Sequence, residues 1–444
     1  MGLNSSSVTR CVRTLTGLIL FAFAGCQRPD PVDPITPQSS NVQFQETDLT
    51  ALQTEWPQWR GPNQSGDAGQ ISLPTTWSET ENIIWTADIR GRGHGSAAVV
   101  QDRIYLCTAT EHPQQQIVLA FNAQDGKPLW DQVVSEDGFP PSNQFHQKSS
   151  HANGTPACDG ERVYTAFLHH DAITAYALNA ESGEIIWTTE LGPFRSKFGY
   201  APSPVLYHSY VIFACDHQGG GYLAAVDTTT GEIAWRTQRP AVSTYSSPRI
   251  ASFDGKDHLL ISGGRKVSSY DPRTGEQRWE VEGTAEATCG TVVVSADTIF
   301  ASGGYPQKET IALSAKGQRV WANRTKAYEP SLLFAEELLF GVDDNGIAYC
   351  WDPRSGTELW KSRLGGNVSA SPFAAGGRVY SSNLNGETYV FEASSSGYKQ
   401  IAVNQLGSDS YASPAVWKQN LILRVGFGQG PYRQEKLVCI GMPD

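Results

Sequence analysis

One motif, a glycine followed four residues later by a tryptophan, recurs through most of this chain and restricts its possible folds more than any other feature. Six intact copies are present, and in a seventh copy Gly397 is followed by Ile401 in place of the tryptophan. With the isolated Trp85, seven tryptophans follow one another at intervals of 39 to 57 residues, which is typical of one blade of a β-propeller. The seven tryptophans are Trp85, Trp130, Trp187, Trp235, Trp279, Trp321 and Trp360.

Each repeat has the pattern of short strands joined by tight turns. Residues 371–391, for example, contain two alternating apolar and polar segments around Gly376 and Gly377, and a third segment after Asn385 and Gly386. In five repeats an Asp or Asn stands four residues before the motif glycine. Its side chain can accept hydrogen bonds from the turn, and the glycine can adopt a positive φ. We expect each tryptophan to pack as a flat plug between neighbouring blades.

The two ends of the repeat region complement each other. Trp85 lies in a segment that resembles a fourth strand without a third strand before it, whereas residues 437–440 resemble a third strand with nothing after it. Pairing of these segments would close a ring of eight blades and remove the open sheet edges. The sequence therefore predicts an all-β fold, a single eight-bladed β-propeller with tryptophan-docking repeats over residues 82–444, closed by its N- and C-terminal strands.

The N-terminal residues have the features of an export signal with a lipid anchor. Arg10 and Arg13 precede a short apolar segment, residues 15–24, which ends two residues before Cys26. Small residues before a cysteine resemble the bacterial lipobox, where the chain is cleaved before the cysteine and its sulfur is lipidated. We expect residues 1–25 to be a lipoprotein signal peptide and Cys26 to be the lipidation site; an ordinary secretory peptide with a chance cysteine is the alternative.

The residues after the anchor indicate a tether and a location. Residues 26–55 are rich in proline and poor in apolar side chains, which is typical of a segment without a fold of its own. Gln27 stands where an aspartate would retain a lipoprotein at the inner membrane of enterobacteria. We therefore expect a lipid-anchored protein of the cell envelope, on the periplasmic side of the outer membrane rather than at the inner membrane or the cell surface.

Composition argues against some functions. The net charge of −11 and the absence of a Lys/Arg run do not favour nucleic-acid binding, which needs clustered cations. The six cysteines after Cys26 include no Cys-Cys or CxxC pair, and each lies in an apolar segment. We expect small buried side chains with at most one disulfide, and no metal site.

The pattern [Asp/Asn]-x-x-x-Gly-x-x-x-Trp resembles the tryptophan-docking repeat of the PQQ-like propellers, the superfamily of the quinoprotein alcohol dehydrogenases. The resemblance covers residues 82–441, and six intact copies make it specific for the fold. Residues 56–63, Trp-Pro-Gln-Trp-Arg-Gly-Pro-Asn, are similar to the W-P-x-[WF]-R-G-P leader of a group of secreted propellers in this superfamily. We expect the leader, residues 56–81, to pack against the propeller; free coil is the alternative.

The superfamily contains PQQ-dependent dehydrogenases, the propeller lipoprotein of outer-membrane protein assembly, and sensor modules, so the fold does not select a function. Resemblance to the dehydrogenases implies a vicinal Cys-Cys disulfide, a Ca²⁺ site of Glu, Asn and Asp, and an Asp base. No Cys-Cys pair occurs, and residues 343–346, Asp-Asp-Asn-Gly, lie where a hairpin turn is expected rather than a calcium loop. We expect no catalytic residue and no cofactor, and interpret the chain as a binding or scaffold module. A PQQ-dependent oxidoreductase with PQQ and Ca²⁺ is the alternative.

The segments after the tryptophans indicate where a ligand would bind. Each leads into the innermost strand of the next blade, so all of them converge at one mouth of the central channel. Basic and aromatic side chains are frequent there and would create a local positive field that favours a carboxylate or phosphate; ordinary polar loop residues are the alternative. We expect a protein, peptide or glycan partner in the cell envelope, no nucleic acid, and membrane contact through the lipid only. The candidate ligand-binding residues are Arg92, His94, His146, Lys148, His151, Arg195, Lys197, Tyr200, Tyr245 and Tyr411.

Replacement Cys26→Ser should move the protein from the membrane fraction to the soluble periplasmic fraction, because residues 27–55 offer no other apolar segment for anchoring. Cell fractionation and immunoblotting measure the shift. Cys11→Ser is the matched control, because this cysteine precedes the predicted cleavage site. Unchanged membrane association of the Cys26→Ser protein would rule out lipidation as the anchor.

Overall fold

The computed structural model describes residues 1–2 and 32–442 of the chain. Cys26 and most of the predicted signal peptide lie outside these residues. The described part contains thirty-two strands and four short 3₁₀ helices. No helix in this part is long and apolar enough to cross a membrane.

The strands form eight antiparallel sheets of four strands each. In chain order they are β1 (Ile83–Ile89); β2 (Ala98–Val100), β3 (Arg103–Glu111), β4 (Gln114–Asn122) and β5 (Pro128–Glu136) in blade 1; β6 (Ala157–Cys158), β7 (Arg162–His169), β8 (Ala172–Asn179) and β9 (Ile185–Pro193) in blade 2; β10 (Val205–Tyr207), β11 (Tyr210–Cys215), β12 (Tyr222–Asp227) and β13 (Ile233–Gln238) in blade 3; and β14 (Arg249–Phe253), β15 (Lys256–Gly263), β16 (Lys266–Tyr270) and β17 (Gln277–Glu282) in blade 4.

The second half of the ring follows the same order. Its strands are β18 (Val293–Ser295), β19 (Thr298–Gly303), β20 (Glu309–Ser314) and β21 (Arg319–Asn323) in blade 5; β22 (Leu333–Ala335), β23 (Leu338–Val342), β24 (Ile347–Trp351) and β25 (Glu358–Arg363) in blade 6; β26 (Phe373–Ala375), β27 (Arg378–Ser382), β28 (Glu387–Glu392) and β29 (Gln400–Gln405) in blade 7; and β30 (Ala415–Trp417), β31 (Asn420–Phe427) and β32 (Gln434–Ile440) in blade 8. The 3₁₀ helices are Pro37–Ser39, Thr50–Thr54, Ser142–Gln144 and Gly430–Tyr432.

Blade 8 joins the two ends of the sequence. Its sheet order is β30, β31, β32 and then β1, so the N-terminal strand is its outermost strand. Trp85 lies opposite Cys439, and Ile89 lies opposite Glu435, in the antiparallel β1–β32 pair. The predicted all-β fold, the eight blades and the closure by terminal strands are confirmed.

In seven of the eight blades an indole packs on the turn of the next blade, and six of these indoles lie directly against the turn glycine. A Cβ atom at Gly126 would stand 2.5 Å from Cε3 of Trp85, and one at Gly275 would stand 2.5 Å from Cε3 of Trp235. Each indole Nε1 also donates a hydrogen bond to a carbonyl of that turn, at 2.7–3.2 Å in all seven cases. Six of these turns therefore require glycine for two reasons, the positive φ and the space under the ring, whereas a Cβ at the seventh, Gly397, would have nothing within 4 Å.

The closure of the ring explains why Ile401 replaces the last tryptophan. The blade that follows it is blade 8, whose third and fourth strands, β32 and β1, come from opposite ends of the sequence. This blade therefore has no hairpin turn with a glycine for an indole to cover. The Ile401 side chain is 38% exposed.

The leader fills the central channel from the end opposite the mouth. Its oxygen atoms accept hydrogen bonds from backbone N–H groups on the free edges of five innermost strands, at 2.7–3.0 Å. These bonds satisfy donors that would otherwise be buried without a partner. The acceptor and donor residues are Trp56 and Val99, Pro57 and Cys158, Gln58 and Leu206, Gln64 and Ile250, and Gly66 and Ala374.

Residues 32–55 also contact the propeller, and the expectation of a free tether does not describe them. Ile35 forms an antiparallel bridge with Arg236 on β13, the outer strand of blade 3. Phe44 stacks on Tyr207, with the ring centroids 5.6 Å apart. A few apolar side chains hold this segment against the sheet. They are too few to change its overall composition, which is why the composition did not indicate these contacts.

The six cysteines of the described residues are free thiols, and five of them are buried. Burial raises the pKa of the Cys107 and Cys439 thiols to about 12. These side chains are therefore protonated and pack as small apolar groups. The cysteines are Cys107, Cys158, Cys215, Cys289, Cys350 and Cys439.

Gly275→Ala should lower the free energy of unfolding by about 1–3 kcal/mol more than Gly255→Ala, because its new Cβ would collide with Trp235. Gly255→Ala is the matched control. Both glycines have a φ near 70°, but a Cβ at Gly255 would have nothing within 4 Å. Urea unfolding measures the two losses, and equal losses would contradict the docking role of the indole.

Candidate functional site at the channel mouth

Eight segments, each between the outer strand of one blade and the inner strand of the next, converge at the mouth. A ring of hydroxyl groups fixes their heights, because the backbone N–H at one position donates to the Ser or Thr hydroxyl at the equivalent position of the next blade. Six such hydrogen bonds measure 2.8–3.0 Å. They link Ser96 to Thr155, Thr155 to Ser203, Ser203 to Ser247, Thr291 to Ser331, Ser331 to Ser371, and Ser371 to Ser413.

Arg92, His94 and Tyr411 meet above this ring, where blades 1 and 8 adjoin. The rings of His94 and Tyr411 are stacked with their centroids 4.1 Å apart. The guanidinium carbon of Arg92 lies 5.9 Å from the Tyr411 centroid. Burial, reinforced by the charge of Arg92, lowers the pKa of His94 well below its usual value, so this imidazole is neutral at pH 7.

A buried ion network supports that corner of the mouth. Glu435 is 2% exposed and lies between Arg424 and Arg433, at N–O distances of 2.6 and 2.8 Å. It also accepts a hydrogen bond from the backbone N–H of Gly93 at 3.1 Å. Arg433 binds both oxygens of Asp409, at 2.6 and 2.7 Å. Removal of one member would leave a buried charge uncompensated, so these groups serve the structure and are not available to a ligand.

The longest of the eight segments, residues 137–156, carries a stack of three rings. His151 lies between Phe139 and Phe145, with centroid distances of 4.0 and 4.2 Å. Burial lowers the pKa of His151 to about 4. The imidazole is therefore a neutral, flat packing group at pH 7.

The same segment reaches across the mouth. Lys148 forms an ion pair with Glu329, which precedes blade 6, at an N–O distance of 3.0 Å. The backbone N–H of Lys148 also donates to Nδ1 of His146 at 3.1 Å, and the His146 side chain is exposed. Lys148 is therefore a bridge across the channel rather than the free cation that the sequence predicts.

Arg195, Lys197 and Phe198 project beside this segment and form what we call the Phe198 patch. All three side chains are exposed, and within the described residues neither cation forms an ion pair. The Lys197 ammonium lies 5.2 Å from the Phe198 centroid, and His146 approaches the same ring edge-on at 5.4 Å. An exposed ring with one unpaired cation beside it and another three residues earlier in the chain suits a carboxylate attached to an apolar group.

Tyr200 and Tyr245 lie deeper than expected. They are 6% and 9% exposed, so their rings pack inside the wall of the mouth and offer a ligand no surface for stacking. Burial raises the pKa of both hydroxyl groups above the usual value. Both hydroxyls are buried without a hydrogen-bond partner among the described residues.

An open cavity of about 260 Å³ lies between blade 1 and the segment of residues 137–156, and is lined in part by Arg92, Phe145, His146 and His151. The structure therefore brings the candidate residues to one face, although Lys148 is paired and the two tyrosines are buried. Their role in binding a ligand remains a prediction.

The sequence analysis missed the acidic groups of the mouth. Glu329, Asp409 and Glu435 each pair with a basic side chain, so Lys148, Arg424 and Arg433 add no unpaired positive charge to the mouth. Glu329 and Asp409 lie in segments that follow tryptophan-motif strands, and a count of acids there would have found them. Glu435 lies inside β32 and has no such signal.

Residues 343–346 form the expected hairpin turn. Asp343 Oδ1 accepts hydrogen bonds from two backbone N–H groups of the turn, at 2.9 and 3.0 Å. Asp344 pairs with Lys326 at 2.7 Å. In the described residues, no group of three or more His, Cys, Asp or Glu side chains is arranged to hold a metal ion.

Lowering the pH from 7 to about 4.5 should destabilise the protein partly through His151. The pKa of this imidazole is about 4 in the fold and about 6.5 in the unfolded chain. Below pH 6.5 the unfolded state therefore binds a proton that the folded state does not, and stability falls until the pH approaches 4.

His151→Phe keeps the ring stack but cannot be protonated, so its unfolding free energy should fall less between pH 7 and about 4.5. Urea titrations at the two pH values measure the difference. The exposed position His112→Phe is the control. Identical pH dependence in the wild type and in the His151→Phe protein would contradict a buried neutral imidazole.

Sequence comparisons relate this chain to two groups of proteins. A family model described as outer membrane protein assembly factor BamB matches residues 114–362, more than half of the chain. The outer membrane protein assembly factor BamB of Bordetella pertussis is 24% identical over 363 residues, covering 78% of this chain and 84% of the relative. The quinoprotein ethanol dehydrogenase of Pseudomonas putida is 22% identical over 314 residues, covering 68% of this chain but 47% of the relative.

Solved structures from both groups have the same fold. A europium-containing methanol dehydrogenase aligns with a TM-score of 0.63 at 13% identity, covering 89% of this chain and 100% of its own. BamB from Moraxella catarrhalis aligns with a TM-score of 0.59 at 14% identity, covering 81% of this chain and 99% of its own. The relatives thus include assembly factors and dehydrogenases. On the family match and the eight blades, seven of which carry a docking tryptophan, this chain belongs to the PQQ-like β-propeller family whose model is described as outer membrane protein assembly factor BamB.

Proposed function

We propose that this protein is a non-catalytic scaffold of the cell envelope, which binds a protein, peptide or glycan partner at the channel mouth. The supporting observation is the Phe198 patch, where one mouth segment carries two exposed, unpaired cations and an exposed aromatic ring. The similarity to proteins named as outer membrane protein assembly factors supports a protein or peptide partner.

The chemistry of the mouth favours an anionic partner. Arg195 can bind a carboxylate through two parallel hydrogen bonds, and Lys197 adds a second charge beside it. The neighbouring cavity of about 260 Å³ can take an apolar side chain of the same partner. Because the hydroxyl ring and the buried ion network hold the mouth in place, little ordering is needed on binding.

The anchor would keep the mouth close to a membrane. We propose that residues 1–25 are removed and that Cys26 carries the lipid, on the periplasmic side of the outer membrane. The Val32 carbonyl accepts a hydrogen bond from Gln238 Nε2 at 2.9 Å, at the mouth end of β13. Since six residues span at most roughly 20 Å, the rim of blade 3 near the Phe198 patch would lie within that distance of the lipid.

A PQQ-dependent oxidoreductase is the second candidate, favoured by the similarity to the ethanol dehydrogenase. PQQ carries three carboxyl groups, and Arg92, Arg195 and Lys197 are three cations of the mouth that could pair with them. A calcium ion next to the quinone would need several carboxylate and amide oxygens. The described residues bring together no acidic cluster for it, so the fit is incomplete.

The double variant Arg195→Glu/Lys197→Glu should bind an acidic ligand roughly tenfold more weakly, because two attractions become repulsions of about 1 kcal/mol or less each. Fluorescence anisotropy with a labelled Glu- and Phe-containing peptide that ends in a free carboxylate measures the change. Thermal stability should hardly change, because both side chains are exposed.

The matched control is Lys316→Glu/Arg354→Glu, which makes the same change in charge at exposed turns on the opposite face. Normal binding by the mouth variant with weaker binding by this control would refute the mouth as the site. Addition of PQQ and Ca²⁺ to the same wild-type preparation separates the two candidates. Bound quinone absorbance with dye-linked alcohol oxidation would establish the second candidate instead.

A further inference from the structure

Two arginines lie inside the central channel without an acidic partner. Arg60 of the leader and Arg249, the first residue of β14, are 4% and 5% exposed. Within the described residues neither forms an ion pair with a carboxylate. The Nε–H group of each is buried and has no acceptor there. Burial of a cation is costly unless a counter-charge compensates it.

The two guanidinium groups lie at the same level of the channel. Arg249 donates to the carbonyl of Val292 at 3.3 Å. Arg60 donates to the carbonyls of Leu332 and Pro372, at 2.8 and 3.4 Å. Each of these three carbonyls comes one residue before the innermost strand of its blade, in blades 5, 6 and 7. Burial lowers the pKa of Arg60 to about 9, and the charge of Arg249 contributes to this shift.

Arg249 is also the one charged residue at its position in the repeat. The innermost strands of the other seven blades begin with buried apolar residues. Packing of the ring therefore does not need a charge at this position, and a buried arginine there opposes folding unless something binds it. The seven equivalent residues are Ala98, Ala157, Val205, Val293, Leu333, Phe373 and Ala415.

We propose that Arg60 and Arg249 bind a small monovalent anion, such as chloride, inside the channel. A halide accepts N–H donors from several directions, which suits the two Nε–H groups that lack an acceptor. It also loses its hydration shell at lower cost than a divalent oxyanion in an enclosed site. Because Arg60 enters the channel as part of the leader, the bound anion holds the leader in place.

The first experiment follows thermal unfolding of the purified protein while chloride replaces gluconate at constant ionic strength. A ligand of the folded state raises Tm in a saturable way, here by roughly 3 °C near saturation. Arg249→Met should abolish the chloride dependence, and the exposed control Arg354→Gln should retain it. An equal dependence of Tm on chloride in the wild type and in the Arg249→Met protein overturns the proposal. A rise in Tm with sulfate but not with chloride overturns it as well.

The second experiment needs no variant. Crystals of the wild-type protein grown in bromide should show an anomalous scattering peak between the guanidinium groups of Arg60 and Arg249. Bromide peaks on the protein surface without a peak at this position would overturn the proposal.

Discussion

The contact between an indole and the glycine turn of the following blade is the interaction on which the rest of this structure depends. The Nε1–H group of an indole is bonded to a turn carbonyl seven times, and in six of these contacts the ring also lies against the bare Cα of the turn glycine. Equal contacts give equal angles between blades. The innermost strands therefore start at one height, and the hydroxyl ring, the hydrogen bonds of the leader and the converging mouth segments all require that alignment.

The repeated part of the fold could be predicted because its signals are local and occur many times. A glycine, an Asp or Asn, and a tryptophan at constant spacing indicate a strand, a turn and a packing contact in each unit. The closure could be predicted because the segments around Trp85 and Leu437 complete each other. The paths of residues 32–55 and of the leader could not be predicted, since their contacts with sheet edges occur once and follow no period.

The candidate site could be predicted only in part, for a related reason. The repeat order brings His94 and Tyr411 together, because their segments belong to adjacent blades. Lys148 and Glu329 meet across the channel through the conformation of one long segment, which no repeat encodes. Arg249 is charged, whereas the residues at the seven equivalent positions of the repeat are apolar. That difference is visible only once the innermost strands have been aligned.

Closure by the first and last strands also constrains how the protein folds. β1 is synthesised before all of the other propeller strands, whereas its partner β32 is the last of these strands to be made. Until then β1 is an apolar strand with unpaired N–H and C=O groups, and the sheet of blade 8 lacks its outer strand. Contacts between such distant segments form slowly. The ring can therefore be completed only after β32 has been made, and a chain interrupted before β32 would be left with exposed strand edges, which other proteins could recognise.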